Sequence, residues 1–233
     1  PQQVETIKLM LNIGAVKEGE ALVYEGLPYR VDALGFSARL NNPLLDGGVV
    51  IVPVKYLVGM HSRKPGEREA WFPCREGDWV ELADGVTGRV VSQTPGAVQV
   101  VQWGGARTTY ATPAFLAQRP RNLSAGFRIE DRFGLDYRHQ AEAVDDIPAL
   151  MQQRLIEAAG RVVDPALIQH VEVTLAGAGT SALEFAIAID LKGEAAERAR
   201  EVRLAIPRAL VALCGEKGWT IPYQHVVVHQ ARA

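Results

Sequence analysis

Histidines are the first residues to weigh, because imidazole binds metals and moves protons near neutral pH. The chain has His61, His139, His170, His225 and His229. On a helix, His225 and His229 would share one face and could grip one ion. Their segment alternates valines instead, which predicts a strand. There the two rings point the same way about 13 Å apart, too far for a shared metal. No His-Glu-x-x-His run occurs. The carboxylates Glu130, Asp131, Asp136, Glu142, Asp145 and Asp146 crowd one stretch. Two such groups in one pocket can divide acid and base work, but the same spacing suits a polar strand edge and a helix start. Ser124 and Ser181 lack the strand-turn-helix setting of an activated serine. Cys74 and Cys214 are too few for a disulfide scaffold or a four-ligand zinc site, and nothing in the sequence places a base beside Cys74. The glycine clusters lack the Lys-Ser/Thr ending of a phosphate loop. No catalytic, cofactor-binding or metal residue is therefore assigned, no cofactor is expected, and the chain is read as a non-enzyme.

Arg119, Arg121, Arg128, Arg132 and Arg138 form a basic stretch, and Trp79, Trp103, Tyr110 and Phe115 supply aromatics. Such parts can build a groove for single-stranded nucleic acid. Interleaved Glu130, Asp131 and Asp136 cancel the field, and the whole chain carries a formal charge of -2. No nucleic-acid partner is expected.

The 233 residues are 48% hydrophobic and 22% charged, enough for two or more domains with modest cores. No apolar run reaches the roughly 18 residues of a membrane-spanning helix, and no secretory leader opens the chain. It begins at Pro1, as a fragment or a processed product would. A membrane segment in a longer parent stays open.

One phrase is written twice. Lys17–Val31 and Arg75–Val90 each start with a basic residue, Glu-Gly and an acid, and each closes on Arg-Val. Lys17 matches Arg75, Gly19 matches Gly77 and Glu20 matches Asp78, an offset of 58. One extra residue near Gly85 makes it 59, so that Arg30 matches Arg89 and Tyr56 matches Phe115. Ala21–Val23, Tyr29–Ala33 and Val49–Val54 read as strands of the first copy. Trp79–Leu82, Gly88–Ser92, Ala97–Trp103 and Arg107–Ala111 read as strands of the second. Gln102–Arg107 reads as a Gly-bearing hairpin turn.

Downstream the rhythm changes. Phe127–Tyr137 reads as a strand, Ile147–Ala159 as a helix with Asp145 or Asp146 as its cap, and Leu167–Leu175 and Ala182–Leu191 as strands. Glu194–Cys214 reads as a helix with Val202, Ile206, Leu210 and Leu213 on its core face, and Trp219–His229 as a last strand. The expected fold class is α+β: two small Gly-rich β-barrel-like domains followed by a ferredoxin-like β-α-β-β-α-β domain. The expected parts are a short helix or linker (1–16), a first β-domain (17–60), a charged hinge (61–73), a second β-domain (74–121) and the α/β domain (122–233).

The second copy, Phe72–Ser92, resembles the β-domain of the small-conductance mechanosensitive channel family: an aromatic, Pro, a basic residue, Gly-Asp, alternating apolars, then Gly-Val-x-Gly. Val98–Leu116 is similar to that domain's second half, although the Asn that usually follows Pro is absent after Pro113. Asn122–Val144 and Gly215–His229 resemble the strands that open and close the family's α/β domain. A second β-domain copy departs from the family. The resemblance implies an extramembrane cage beneath a pore, a homo-oligomeric ring of seven, and membrane attachment through segments outside this chain. It implies passage of ions or small solutes under osmotic stress, and a cytoplasmic position for this portion of a parent in the cell membrane, the inner membrane in a bacterium. The residues expected to matter are structural: Gly77, Asp78, Trp79, Gly85, Gly88, Gly104, Pro222 and Tyr223. The alternatives are a soluble oligomeric adaptor for a peptide or protein partner, and a hydrolase working through carboxylates such as Asp131 and Asp136.

Overall fold

The computed structural model describes residues 2–222. The chain divides into two compact units, Pro1–Asn122 and Leu123–Ala233.

The first unit opens with helix α1 (Gln2–Met10), shorter than the expected Gln2–Ile13 because Asn12 turns the backbone at a φ of 56°. Strands β1 (Ala21–Tyr24), β2 (Leu27–Ala33), β3 (Ser37–Asn41) and β4 (Val49–Pro53) follow as an antiparallel meander, ending in a 3₁₀ turn, Val54–Leu57. Strand β3 escapes sequence reading because Ala38 and Leu40 are its only apolar residues; both are fully buried. The second copy repeats the plan. Strands β5 (Trp79–Glu81), β6 (Thr87–Gln93), β7 (Ala97–Gln102) and β8 (Arg107–Ala111) form a meander, and helix α2 (Thr112–Ala117) closes it. A short β9 (Arg121–Asn122) returns to pair with β5.

The likeness extends to single hydrogen bonds. Gly19 N donates to Val31 O at 2.7 Å, and Gly77 N donates to Val90 O at 2.8 Å. Val31 N returns to Glu20 O and Val90 N to Asp78 O, both at 2.8 Å. Gly19 and Gly77 hold φ values of 79° and 93°, a region open to Gly at no steric cost. Each copy then slips register once, between Val31 and Ala33 and between Val90 and Ser92. Such a bulge bends the strand at the same place in both copies.

Closed barrels do not form. The chain builds three open antiparallel sheets: one of four strands, one of five, and one of three in the second unit. Closure would require the first and last strands of each copy to pair, yet β4 bonds only to β3, and β8 only to β7, among the described residues. The physical reason is a shared core. Leu22, Val31, Leu40 and Leu57 of the first copy belong to one apolar cluster with Val80, Val90, Val98 and Phe115 of the second. Neither sheet has to curl on itself to bury its apolar side chains.

The second unit runs β10 (Phe127–Leu135), α3 (Asp146–Gly160), β11 (Ile168–Ala178), β12 (Leu183–Leu191) and α4 (Ala199–Lys217). Its sheet has the order β10-β12-β11, all antiparallel. Strand β12 alternates as its sequence predicts: Leu183, Phe185, Ile187 and Ile189 are buried. They meet Ile147, Met151 and Leu155 of α3 and Val202, Ile206, Leu210 and Leu213 of α4 in one core. Asp145 stands at the α3 N-cap position, but its side chain makes no capping hydrogen bond there. The expected single helix from Glu194 is a 3₁₀ turn, Gly193–Arg198, that runs into α4, with Pro207 inside the helix. Most of the expected last strand, including Tyr223, His225 and His229, lies outside the described residues.

Candidate functional site

The corner residues singled out in sequence gather around the start of β5. Asp78 Oδ2 accepts from Arg75 N and from Asn122 Nδ2, both at 2.8 Å. One carboxylate thus fastens the turn before β5 to strand β9, on its far side. Trp79 stacks on Trp103, with ring centroids 5.1 Å apart. Gly88 lies where β6 crosses β7; a Cβ there would stand 2.5 Å from Val101 O and 2.7 Å from Val100 Cγ1. Gly85 and Gly104 both hold φ at 88°, at the tips of the β5–β6 and β7–β8 hairpins. Pro222 comes within 3.8 Å of the position a Cβ on Gly134 would take. These residues shape backbone and surface; the chemistry available to them is packing and hydrogen bonding.

Two buried amides, absent from the sequence expectations, join the two copies. Gln93 is 1% exposed. Its Nε2 donates to Leu44 O at 2.6 Å and Cys74 O at 3.1 Å, while its own carbonyl accepts from Asp46 N at 2.9 Å. Asn42, fully buried, donates through Nδ2 to Pro28 O at 2.9 Å and Trp71 O at 2.7 Å. Buried amides must be paired, and here the pairing crosses from one sheet to the other. The only hint in sequence is a lone Gln or Asn ending a strand.

The segment between the copies is pinned to the first sheet. Ala21 and Arg63 exchange backbone hydrogen bonds at 2.8 and 2.9 Å. Arg63 then clamps Glu69, whose Oε2 also accepts from Gly66 N at 2.9 Å. The guanidinium and that N–H hold the Glu69 carboxyl at about 2.

The first copy leaves apolar surface uncovered. Ile51 on edge strand β4 is 67% exposed, Val49 beside it 41%, and Phe36 in the β2–β3 turn 89%. The matching edge of the second copy, β8, shows Arg107 and threonines instead. The open face of the three-stranded sheet is charged. Arg128 pairs in bidentate fashion with Asp190 at 2.6 and 2.7 Å, and Arg132 with Glu184 at 3.3 Å, around Ala186 and Ala188.

The basic stretch is neutralised locally. Arg121 pairs with Glu81 and Arg138 with Asp136, in addition to the two pairs above. Phe115 is fully buried and stacks against Phe72, so it is a core residue. Asp131 and Asp136 do not meet in one cavity. Asp131 is exposed on β10, and Asp136 caps the Tyr137 turn by accepting from Arg138 N at 2.9 Å. That bond and the Arg138 guanidinium lower the Asp136 pKa, opposite to the shift a general acid needs. His139 Nε2 accepts from Thr220 N at 2.9 Å, a structural bond at the end of α4. His61 lies in the pinned segment and His170 near the start of β11. Cys74 and Cys214 are both buried and unbonded, and burial pushes the Cys74 thiol up to about 12.

No protein-family model matches the chain, and no curated protein does. Solved structures similar to it include the closed-state crystal structure of MscS from Helicobacter pylori, at 18% identity and a TM-score of 0.49. That match covers 69% of this chain and 60% of the other. Wild-type AtMSL1, seen by cryo-electron microscopy, is similar at 16% identity and a TM-score of 0.45, over 65% of this chain and 52% of its own. A structure of Arabidopsis thaliana MSL1 matches at 18% identity and a TM-score of 0.36, over 65% of this chain and 54% of its own. The chain therefore spans less than two thirds of each of these proteins. No helix among the described residues is long and apolar enough to cross a membrane.

Proposed function

We propose that this chain is the extramembrane, cytoplasmic portion of an oligomeric mechanosensitive channel-like protein of the cell membrane. In this reading it builds the wall of a vestibule that ions and small solutes cross under osmotic stress. It is non-enzymatic: it assembles and encloses. The sequence resemblance over Phe72–Ser92, Val98–Leu116 and Asn122–Val144 supplies the channel part of the reading, and seven is the subunit number it implies.

The observation that carries the assembly part is the uncovered edge of the first sheet. A ring is built from heterologous contacts in which each copy lends one surface to the next. Strand β4 has unpaired backbone groups on one side and exposes Val49 and Ile51, with Phe36 89% exposed in the nearby turn. Edges of this kind attract another chain unless they are covered or charged. The adaptor alternative needs no ring, which makes the mass in solution the deciding measurement. Light scattering coupled to size exclusion is expected to give one discrete oligomer. A monomer at every concentration would favour the adaptor.

A further inference from the structure

The outer side of the second unit's helix pair carries a cleft of about 540 Å³ between α3 and α4. Its floor is methyl groups, from Ala158 on α3 and Ala205 and Ala209 on α4, and its rim is guanidinium, from Arg154, Arg161 and Arg208. We propose that this cleft docks an acidic amphipathic helix from a partner protein.

The charge argument rests on who is already paired. Arg154 is held by Glu216. Among the described residues, Arg161 and Arg208 have no ion-pair partner, and both are exposed. The one carboxylate lining the cleft, Glu201, is engaged by Arg198. Two cations are therefore left to receive an acidic side chain, in bidentate geometry if it is a carboxylate. The shape argument rests on the floor. Small side chains between two helices leave a groove that the side-chain ridge of a third helix can enter. Leu204, in the cleft and 45% exposed, and Val211, 52% exposed one helical stripe further on, supply apolar surface for that ridge.

The chain itself does not offer the complement. Residues 223–233 contain no Asp or Glu. In α1 the acid Glu5 is bound to Lys8, and in α4 Glu201 and Glu216 are bound to arginines. An outside partner with a net acidic face fits better than a second copy.

The test uses the full chain and a labelled, acetylated synthetic helix of about 18 residues, long enough to be helical. It carries Leu at i, i+3, i+4 spacing and Glu elsewhere; a twin carries Lys in place of Glu. Fluorescence anisotropy is expected to show binding of the Glu helix, at least ten-fold tighter than the Lys twin and weakening as salt is raised. Arg161→Glu with Arg208→Glu should lose at least ten-fold. Ala205→Leu, which fills the floor and keeps the rim, should lose binding too, with circular dichroism unchanged. Equal binding of both helices, or no effect of the charge reversal, would overturn the proposal. So would concentration-dependent self-association of the chain abolished by Arg208→Glu, which would give the cleft to a second copy. Because the probe reads the cleft alone, the outcome is independent of whether the chain forms a ring.

Discussion

Glu69 shows how one side chain can hold a connecting segment. Its pKa of about 2 in the folded chain comes from the Arg63 guanidinium first and Gly66 N–H second. An unfolded Glu titrates near 4.3. A depressed folded value means the stabilisation is complete above the unfolded value and is lost as pH falls through the folded one. Amide exchange at Gly66, read by NMR, should therefore accelerate between about pH 4 and about pH 2, and Glu69→Gln should show fast exchange at neutral pH. Cys74 makes the opposite point about reactivity. With its thiol pushed up to about 12 and buried, it should resist iodoacetamide at pH 8 until the chain is unfolded in urea. Gly88 tests the crossing of β6 and β7. A β-branched side chain there would collide with Val101 O, 2.5 Å from the added Cβ. Gly88→Val should cost about 1–3 kcal/mol, seen as a lower midpoint in thermal unfolding.

Among the elements, the two meanders carry the most information. Their turns and bulges are set by local chemistry: a Gly with positive φ, an acid whose backbone accepts, and a Val that closes the pair. That is why the repeat could be read from residues alone. Strand β3 could not, because its strand character depends on β2 and β4 taking up its backbone groups on both sides. The coupling of the copies could not either. Gln93 looks like the polar end of a strand, and only burial against Leu44 and Cys74 gives it a role. Gln93→Ala should leave two buried carbonyls short of a donor and cost about 1–3 kcal/mol. The expected result in urea is a lower midpoint for the first unit, and Asn42→Ala should act the same way.

For the molecule as a whole, the exposed apolar edge of the first copy is the feature that assembly would have to cover. Phe36→Ser combined with Ile51→Lys removes apolar surface that the isolated chain does not bury. Its effect on chain stability should stay within about 0.5 kcal/mol. Its effect on mass should be large: light scattering is expected to show a loss of the oligomer at the concentration where the unaltered chain forms it. An unchanged oligomer would move the subunit contact elsewhere.

The sequence by itself determined the duplication, most strand and helix positions in both units, and the inward faces of β12 and α4. These follow from short-range rules: side-chain periodicity, turn glycines and helix punctuation. The tertiary structure decided three further things. It left the sheets open, because apolar residues far apart in sequence could bury one another across the two copies without closure. It neutralised the arginines by bringing Arg128 to Asp190 and Arg132 to Glu184 across neighbouring strands. It placed Arg161 beside Arg208 over a floor of alanines. Each depends on which distant residues become neighbours, and that is set by packing the whole chain.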